Sequence, residues 1–179
     1  EGVEKLVIQR ARALTVLSDA YSLPQSQQEN WANVLDRVKK ALENESDSSR
    51  NAMFEITPFI ADEMQLVDDK DLPRYLYHRY RYDVFPGIRE LDDYPPYLQI
   101  EPTSICNYRC VFCFQIDNNF SKRKSDHMGT MTVERYKNIV DQVEGKIEFL
   151  SLASRGEPLV CKALPEMLSY STGKFLNLK

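Results

Sequence analysis

Three cysteines stand within eight positions, Cys106-Asn-Tyr-Arg-Cys110-Val-Phe-Cys113, and the fourth, Cys161, lies well downstream. The pattern is C-x3-C-x2-C. Thiolates ligate soft metals and iron–sulfur clusters. Three of them on one short loop can each take a different iron of a cubane, which leaves the fourth iron without a protein ligand. An open iron binds a further ligand directly, by the logic that keeps one position free in catalytic zinc sites. The segment must curl, because neither a straight helix nor a strand brings these three sulfurs to one point. The rival chemistry is a structural zinc tetrahedron completed by His127 or Cys161. Plain thiols are a third reading, although three adjacent free thiols invite oxidation.

The elements around the cysteines alternate between strand and helix. Tyr97–Glu101 reads as a strand, with Leu98 and Ile100 alternating with Gln99 and Glu101. The cysteine loop follows it. Thr132 is a plausible N-cap, and Val133, Tyr136, Val140 and Val143 mark one helix face that ends at Gly145. Residues 147–153, IEFLSLA, read as a buried strand. Residues 163–170 read as a short helix followed by Gly173, and FLNLK opens a third strand. This β-α-β-α-β order is the signature of a parallel sheet with right-handed crossovers. At roughly thirty residues per step, 97–179 holds about two and a half βα units. That is too short to close a barrel, so the chain reads as part of a longer polypeptide.

Residues 1–96 read as mainly helical. Val3, Val7, Ala11, Leu14, Leu17 and Tyr21 recur at helical spacing up to Pro24. Ser26 and Glu29 fit a capping box for a second helix, with Trp31, Val34, Leu35, Val38, Ala41 and Leu42 as its apolar face. Glu43–Asn51 is a polar loop. A third helix is expected over 59–72, ended by Pro73. The stretch 74–85 fits either a short helix or an extended segment, and its Tyr/Arg-rich part, 74–82, suits a packing surface between domains or stacking on bases or sugars. The boundary is placed at Pro95-Pro96, where the charge balance also changes. Residues 1–96 carry 12 Lys and Arg against 18 Asp and Glu, and residues 97–179 carry 11 against 9.

Composition sets outer bounds. Of 179 residues, 42% are hydrophobic and 28% charged, enough to bury a core and too ordinary for wholesale disorder. Apolar runs of only a few residues exclude a spanning helix and hence a membrane protein of that kind. A net charge of -4 argues against a general nucleic-acid binder. Four cysteines do not make a disulfide scaffold. The opening EGVEKLVIQRAR has no secretory pattern and begins at Glu1 rather than an initiator methionine, as a processed or internal start would.

The cysteine loop, with the aromatic Phe112 before its third cysteine and a predicted strand ahead of it, resembles the radical S-adenosylmethionine (SAM) superfamily. A second motif joins it at the end of the second predicted strand, Ser154-Arg155-Gly156-Glu157-Pro158, with Gly156 43 positions after Cys113. It is similar to that family's Gly-Gly-Glu-Pro turn, with Arg155 where the first glycine often stands. The resemblance implies the first part of a partial (βα)6 barrel over 97–179, preceded by the helical region. It implies that Cys106, Cys110 and Cys113 hold a [4Fe–4S] cluster and that S-adenosyl-L-methionine chelates its fourth iron. Phe112 would lie against the adenine, with Ser154, Gly156 and Glu157 at the methionyl ammonium. Physically, Gly156 permits close backbone approach and Glu157 accepts charge-assisted hydrogen bonds. The implied activity is reductive cleavage of SAM to start radical chemistry on an unknown substrate. An electron donor such as a flavodoxin or ferredoxin and a cytoplasmic location go with it.

The alternative is a non-catalytic metal-binding interaction module, holding zinc or an iron–sulfur cluster. Other residues have plainer expectations. Cys161 reads as a buried or helix-start residue and Phe114 as core packing. Arg109 and Arg155 suit surface or salt-bridge roles as well as functional ones. His78, His127 and the basic run Lys122-Arg123-Lys124 carry little signal.

Overall fold

A computed structural model describes residues 2–18, 28–43, 54–122 and 128–179. The chain divides into two compact units, Glu1–Pro96 and Tyr97–Lys179. Among the described residues no helix is long and apolar enough to cross a membrane.

The first unit is helical: α1 (Gly2–Ser18), α2 (Gln28–Glu43), α3 (Pro58–Met64), α4 (Leu72–Asp83) and the single turn α5 (Phe85–Ile88). Helix α2 buries Trp31, Val34, Leu35, Val38 and Leu42, the stripe that its 3.6-residue period presents on one side. Helix α1 departs from its expected face. Val3 and Val7 are exposed, Leu17 is buried as expected, and Gln9 and Ala13 join it on the inward side. Arginines flanking that inner stripe account for the rotation. Arg10 donates to the Leu42 carbonyl at the end of α2. Arg12 donates to the Met64 and Val67 carbonyls at and beyond the end of α3. Helix C-termini present unsatisfied carbonyls with partial negative charge, so guanidinium groups are favoured there. Tyr21, Pro24, Ser26 and most of the polar loop 43–51 lie outside the described residues, as does the side chain of Glu29.

Pro73 starts a helix rather than ending one. The expected run 59–72 is α3 followed by a turn, and Pro73 stands in the first turn of α4, where its missing N–H has no partner to lose. Thr57 caps α3 by accepting from the Ile60 N–H. The Tyr/Arg stretch is helical, and Tyr75, Tyr77 and Tyr80 are buried in it. Tyr77 stacks on Trp31 at 4.2 Å, Tyr80 packs against Phe54 and Phe85, and the Tyr75 hydroxyl donates to Glu63. With their faces used inside this unit, these three rings offer nothing for bases to stack on. The same helix holds the end of the unit. Buried Arg81 donates to the Asp92 carboxylate and the Tyr94 carbonyl, and the His78 Nδ1–H meets the Pro96 carbonyl at 2.8 Å.

The second unit carries a three-stranded parallel sheet in the order β1-β2-β3, with β1 Tyr97–Gln99, β2 Phe149–Ser151 and β3 Asn177–Leu178. Tyr97 is in register with Phe149, and Phe149 with Asn177. The strands are shorter than their apolar runs, although the ladder continues through Ile100 N–H to Ser151 and Leu152 N–H to Lys179. Crossover helices α7 (Val133–Val143) and α8 (Leu164–Ser171) join them, and the four-residue helix α6 (Asn118–Ser121) follows the cysteine loop. Thr132 caps α7 by accepting from the Arg135 N–H, and Gly145 leaves it at φ +72°. Tyr136 and Val140 of α7 and Leu164 and Met167 of α8 are buried, as are Ile147, Leu150 and Leu152. A parallel sheet places the carboxyl ends of its strands on one side. Here the cysteine loop leaves β1 and the Gly156-Glu157 turn leaves β2 on that side, where such sheets build sites.

Candidate functional site

The cysteine loop has a closed neck. Thr103 pairs with Thr130 in an antiparallel bridge. The Ser104 N–H donates to the Gly129 carbonyl at 3.0 Å and the Met131 N–H to the Pro102 carbonyl at 2.8 Å. Side chains tighten it: the Gly129 N–H donates to Ser104 Oγ at 2.7 Å, and the Thr103 and Thr130 hydroxyls meet at 2.9 Å. Thr103 and Ser104 are buried, so satisfying these backbone groups is a requirement rather than an ornament. The neck sets where the cysteine loop leaves the sheet.

Cys106 and Cys113 are half-buried, Cys110 is exposed, and none is in a disulfide. The Cys113 N–H donates to the Cys110 carbonyl at 2.9 Å, closing the turn between the last two cysteines. The Tyr108 N–H points at Cys106 Sγ at 3.4 Å, the type of contact that tunes a metal-bound sulfur. Among the described residues no three His, Cys, Asp or Glu side chains are gathered as a metal-holding group. The loop thus brings three free, accessible thiols into one segment without drawing the sulfurs to a point. As a donor set, three thiols with no carboxylate between Cys106 and Cys113 suit an iron–sulfur cluster. Cys161 stands apart, buried, with its Sγ toward the Pro102 carbonyl at 3.9 Å. His127, with most of the basic run 122–124, lies outside the described residues.

The loop's rings face water. Phe112 is 90% exposed, so its face is open to a planar partner. Phe114 is also exposed, contrary to the core role expected of it, and meets Phe120 edge-on at 5.9 Å. The reason is local. Phe114 begins a 3-10 turn, Phe114–Ile116, that directs Gln115 inward and so turns its neighbours out. Arg109 holds the loop's own Cys106 and Tyr108 carbonyls.

The second motif abuts the neck. Gly156 adopts φ +79°, and a Cβ there would stand 2.1 Å from the Thr103 carbonyl oxygen and 3.0 Å from that of Ile105. Only glycine permits this approach. It lets the Glu157 N–H donate to the Ile105 carbonyl at 2.9 Å, next to Cys106. The half-buried Glu157 carboxylate accepts from the Leu159 N–H at 3.0 Å, capping the 3-10 turn Pro158–Val160. A carboxylate has about four acceptor positions, so further ones remain for a ligand. Ser154 is exposed. Arg155 pairs with Glu101 at 3.3 Å and lies over Phe114, a salt-bridge role. Within this motif only Gly156 carries a positive φ, so the position before it accommodates arginine.

Gln115 is a site residue that sequence reasoning missed. It is 6% exposed, donates to the Ser104 carbonyl at 2.7 Å and accepts from the Gly156 N–H at 3.3 Å. Leaving such buried groups without partners costs about 1–3 kcal/mol each. Its only sequence signal is a polar residue between Phe114 and Ile116, two positions past the last cysteine.

No protein-family model, curated protein or solved structure matches the chain.

Proposed function

We propose that this chain is the cofactor-binding part of a radical SAM enzyme, with Cys106, Cys110 and Cys113 holding a [4Fe–4S] cluster and Gly156 and Glu157 receiving S-adenosylmethionine. The observation that carries the reading is the Glu157 N–H to Ile105 carbonyl bond at 2.9 Å. Two motifs far apart in sequence meet there, with a thiol loop on one side and a carboxylate on the other. A ligand that coordinates a thiol-bound iron and also carries an ammonium needs that pairing.

The residues divide the work. The three thiolates bind metal. The Glu157 carboxylate accepts from an ammonium, and its cap on Pro158–Val160 keeps it oriented. The open face of Phe112 suits an adenine ring, since aromatic faces stack on bases. Ser154, exposed beside the turn, supplies a hydroxyl. When bound, such a cluster supplies single-electron chemistry to the sulfonium of the nucleoside. The reading brings with it an external electron donor of the flavodoxin or ferredoxin kind, a separate substrate, and an oxygen-poor cytoplasmic setting.

Anaerobic reconstitution with iron and sulfide is expected to give a brown protein with about four irons per chain. Its reduced-state electron paramagnetic resonance (EPR) signal should change when SAM is added. A colourless protein with one tightly held zinc, or a cluster indifferent to SAM, overturns the proposal.

A further inference from the structure

Gln115 touches both halves of the site. Its Nε2 donates to the carbonyl of Ser104, two residues before Cys106, and its Oε1 accepts from the N–H of Gly156, next to Glu157. We infer that Gln115 is a positioning residue that sets the spacing between the thiol loop and the Gly156-Glu157 turn, and through it the affinity for SAM. The inference rests on the reading of the site given above.

The argument is one of rigid placement. The Glu157 to Ile105 hydrogen bond joins loop and turn at one point, beside the packing of Gly156 on the Thr103 carbonyl. The Gln115 amide adds a second link one residue away on each side, and two links define an orientation. A ligand that must reach a thiol-bound iron and a carboxylate together is sensitive to that orientation, since small misplacements of binding groups lose much of their effect. The side chain is chosen by polarity as well as length. Ser104 offers an acceptor and Gly156 a donor, and an amide presents the complement of both. Glutamate would keep the acceptor for Gly156 but set a second oxygen against the Ser104 carbonyl. Methionine has similar length and neither group. Gln115 also rides on the turn that begins at Cys113, whose carbonyl accepts from the Ile116 N–H at 3.1 Å. One short turn therefore carries both the third thiol and the link.

The test measures iron content, thermal midpoint and SAM affinity in reconstituted protein, with affinity read from the EPR change of the reduced cluster. Gln115→Met is expected to keep wild-type iron content while its Kd for SAM rises about 10- to 100-fold, the range typical of groups that orient metal-site residues. Gln115→Glu is expected to fall between Gln115→Met and wild type, because one of the two links survives. Val140→Ala, a buried change in α7 outside both motifs, should lower the thermal midpoint and leave Kd within about twofold, which separates positioning from general destabilisation. A Gln115→Met protein that binds SAM within about twofold of wild type overturns the inference. So does one that loses iron in parallel with SAM, or a Val140→Ala protein that weakens SAM equally. If Gln115→Met accumulates only as aggregate, Gln115→Glu decides alone by the same readouts. Wild-type protein that binds no SAM removes the underlying reading, and the inference falls with it. Wild-type binding with an unaffected Gln115→Met removes the inference alone.

Discussion

Two aromatic-rich segments of this molecule have opposite fates. In α4, Tyr75, Tyr77 and Tyr80 are buried among Trp31, Phe54 and Phe85. In the cysteine loop, Val111, Phe112 and Phe114 stand in water. The difference lies in what each segment can lean on. A twelve-residue helix presents its rings to a neighbouring amphipathic helix, and burial of each large ring stabilises the fold by a few kcal/mol. The loop between the Thr103–Thr130 neck and α6 spends its backbone on tight turns, and its rings find no apolar wall. Exposed apolar side chains on the thiol loop suit the ligand face proposed above, whereas the buried rings hold the helical unit together. Residue type alone does not separate these roles.

The contrast is open to direct attack. Replacing Cys106, Cys110 and Cys113 together by alanine is expected to abolish cluster binding outright, read as iron and sulfide per chain. Cys161→Ala, buried and apart from the loop, should leave iron content at the wild-type value. In the helical unit, Trp31→Ala should cost roughly 3–5 kcal/mol in chemical denaturation, because it empties the space against Tyr77. Gly156→Ala should cost about 2–3 kcal/mol in the second unit and weaken SAM binding, from the collision with the Thr103 carbonyl and the positive φ. Gly173→Ala, at φ +77° but facing open space, supplies the control at about 1 kcal/mol with no effect on SAM.

A pH effect follows from α4. Burial pushes His78 down to about 4, with Arg79 and Arg81 adding to the shift and the Pro96 carbonyl opposing it. The unfolded ring protonates near 6.5, so between pH 6.5 and 4 the unfolded state binds more protons and stability falls as pH falls. The slope is at most about 1.4 kcal/mol per pH unit. His78→Asn, which retains a donor for Pro96, should flatten the stability–pH curve in that window. The smallest stability effect is expected at the other end of the comparison. Phe112→Ala should stay within about 0.5 kcal/mol of wild type in denaturation while weakening SAM binding, and a large loss of stability would place the ring in a core after all.

Much of the local structure was legible because it obeys short-range rules. The face of α2 follows from its period, the start of α7 from Thr132, and the helix exit from Gly145, each within a few residues of its cause. The face of α1 was legible only in part: Leu17 is buried as its period predicts, while Gln9 and Ala13 turn inward where Arg10 and Arg12 dock on carbonyls at the ends of helices far along the chain. Pro73 was misread because proline both ends helices and begins them, and only the partners of the preceding turn decide which. Phe114 was assigned to a core because its type favours burial, whereas the 3-10 turn after Cys113 spends the inward direction on Gln115.

The thiol spacing, the Gly-Glu-Pro order and the alternation of strand and helix are properties of the linear chain, since spacing and period need no partner to be read. That Gly156 lies against the Thr103 carbonyl, that Glu157 bonds to Ile105, and that Gln115 bridges the two are decided by folding alone. The contacts of Gly156 and Glu157 with the cysteine loop, Gln115 included, join residues more than forty positions apart, and contacts of that reach exist only once a parallel sheet has set the ends of β1 and β2 side by side.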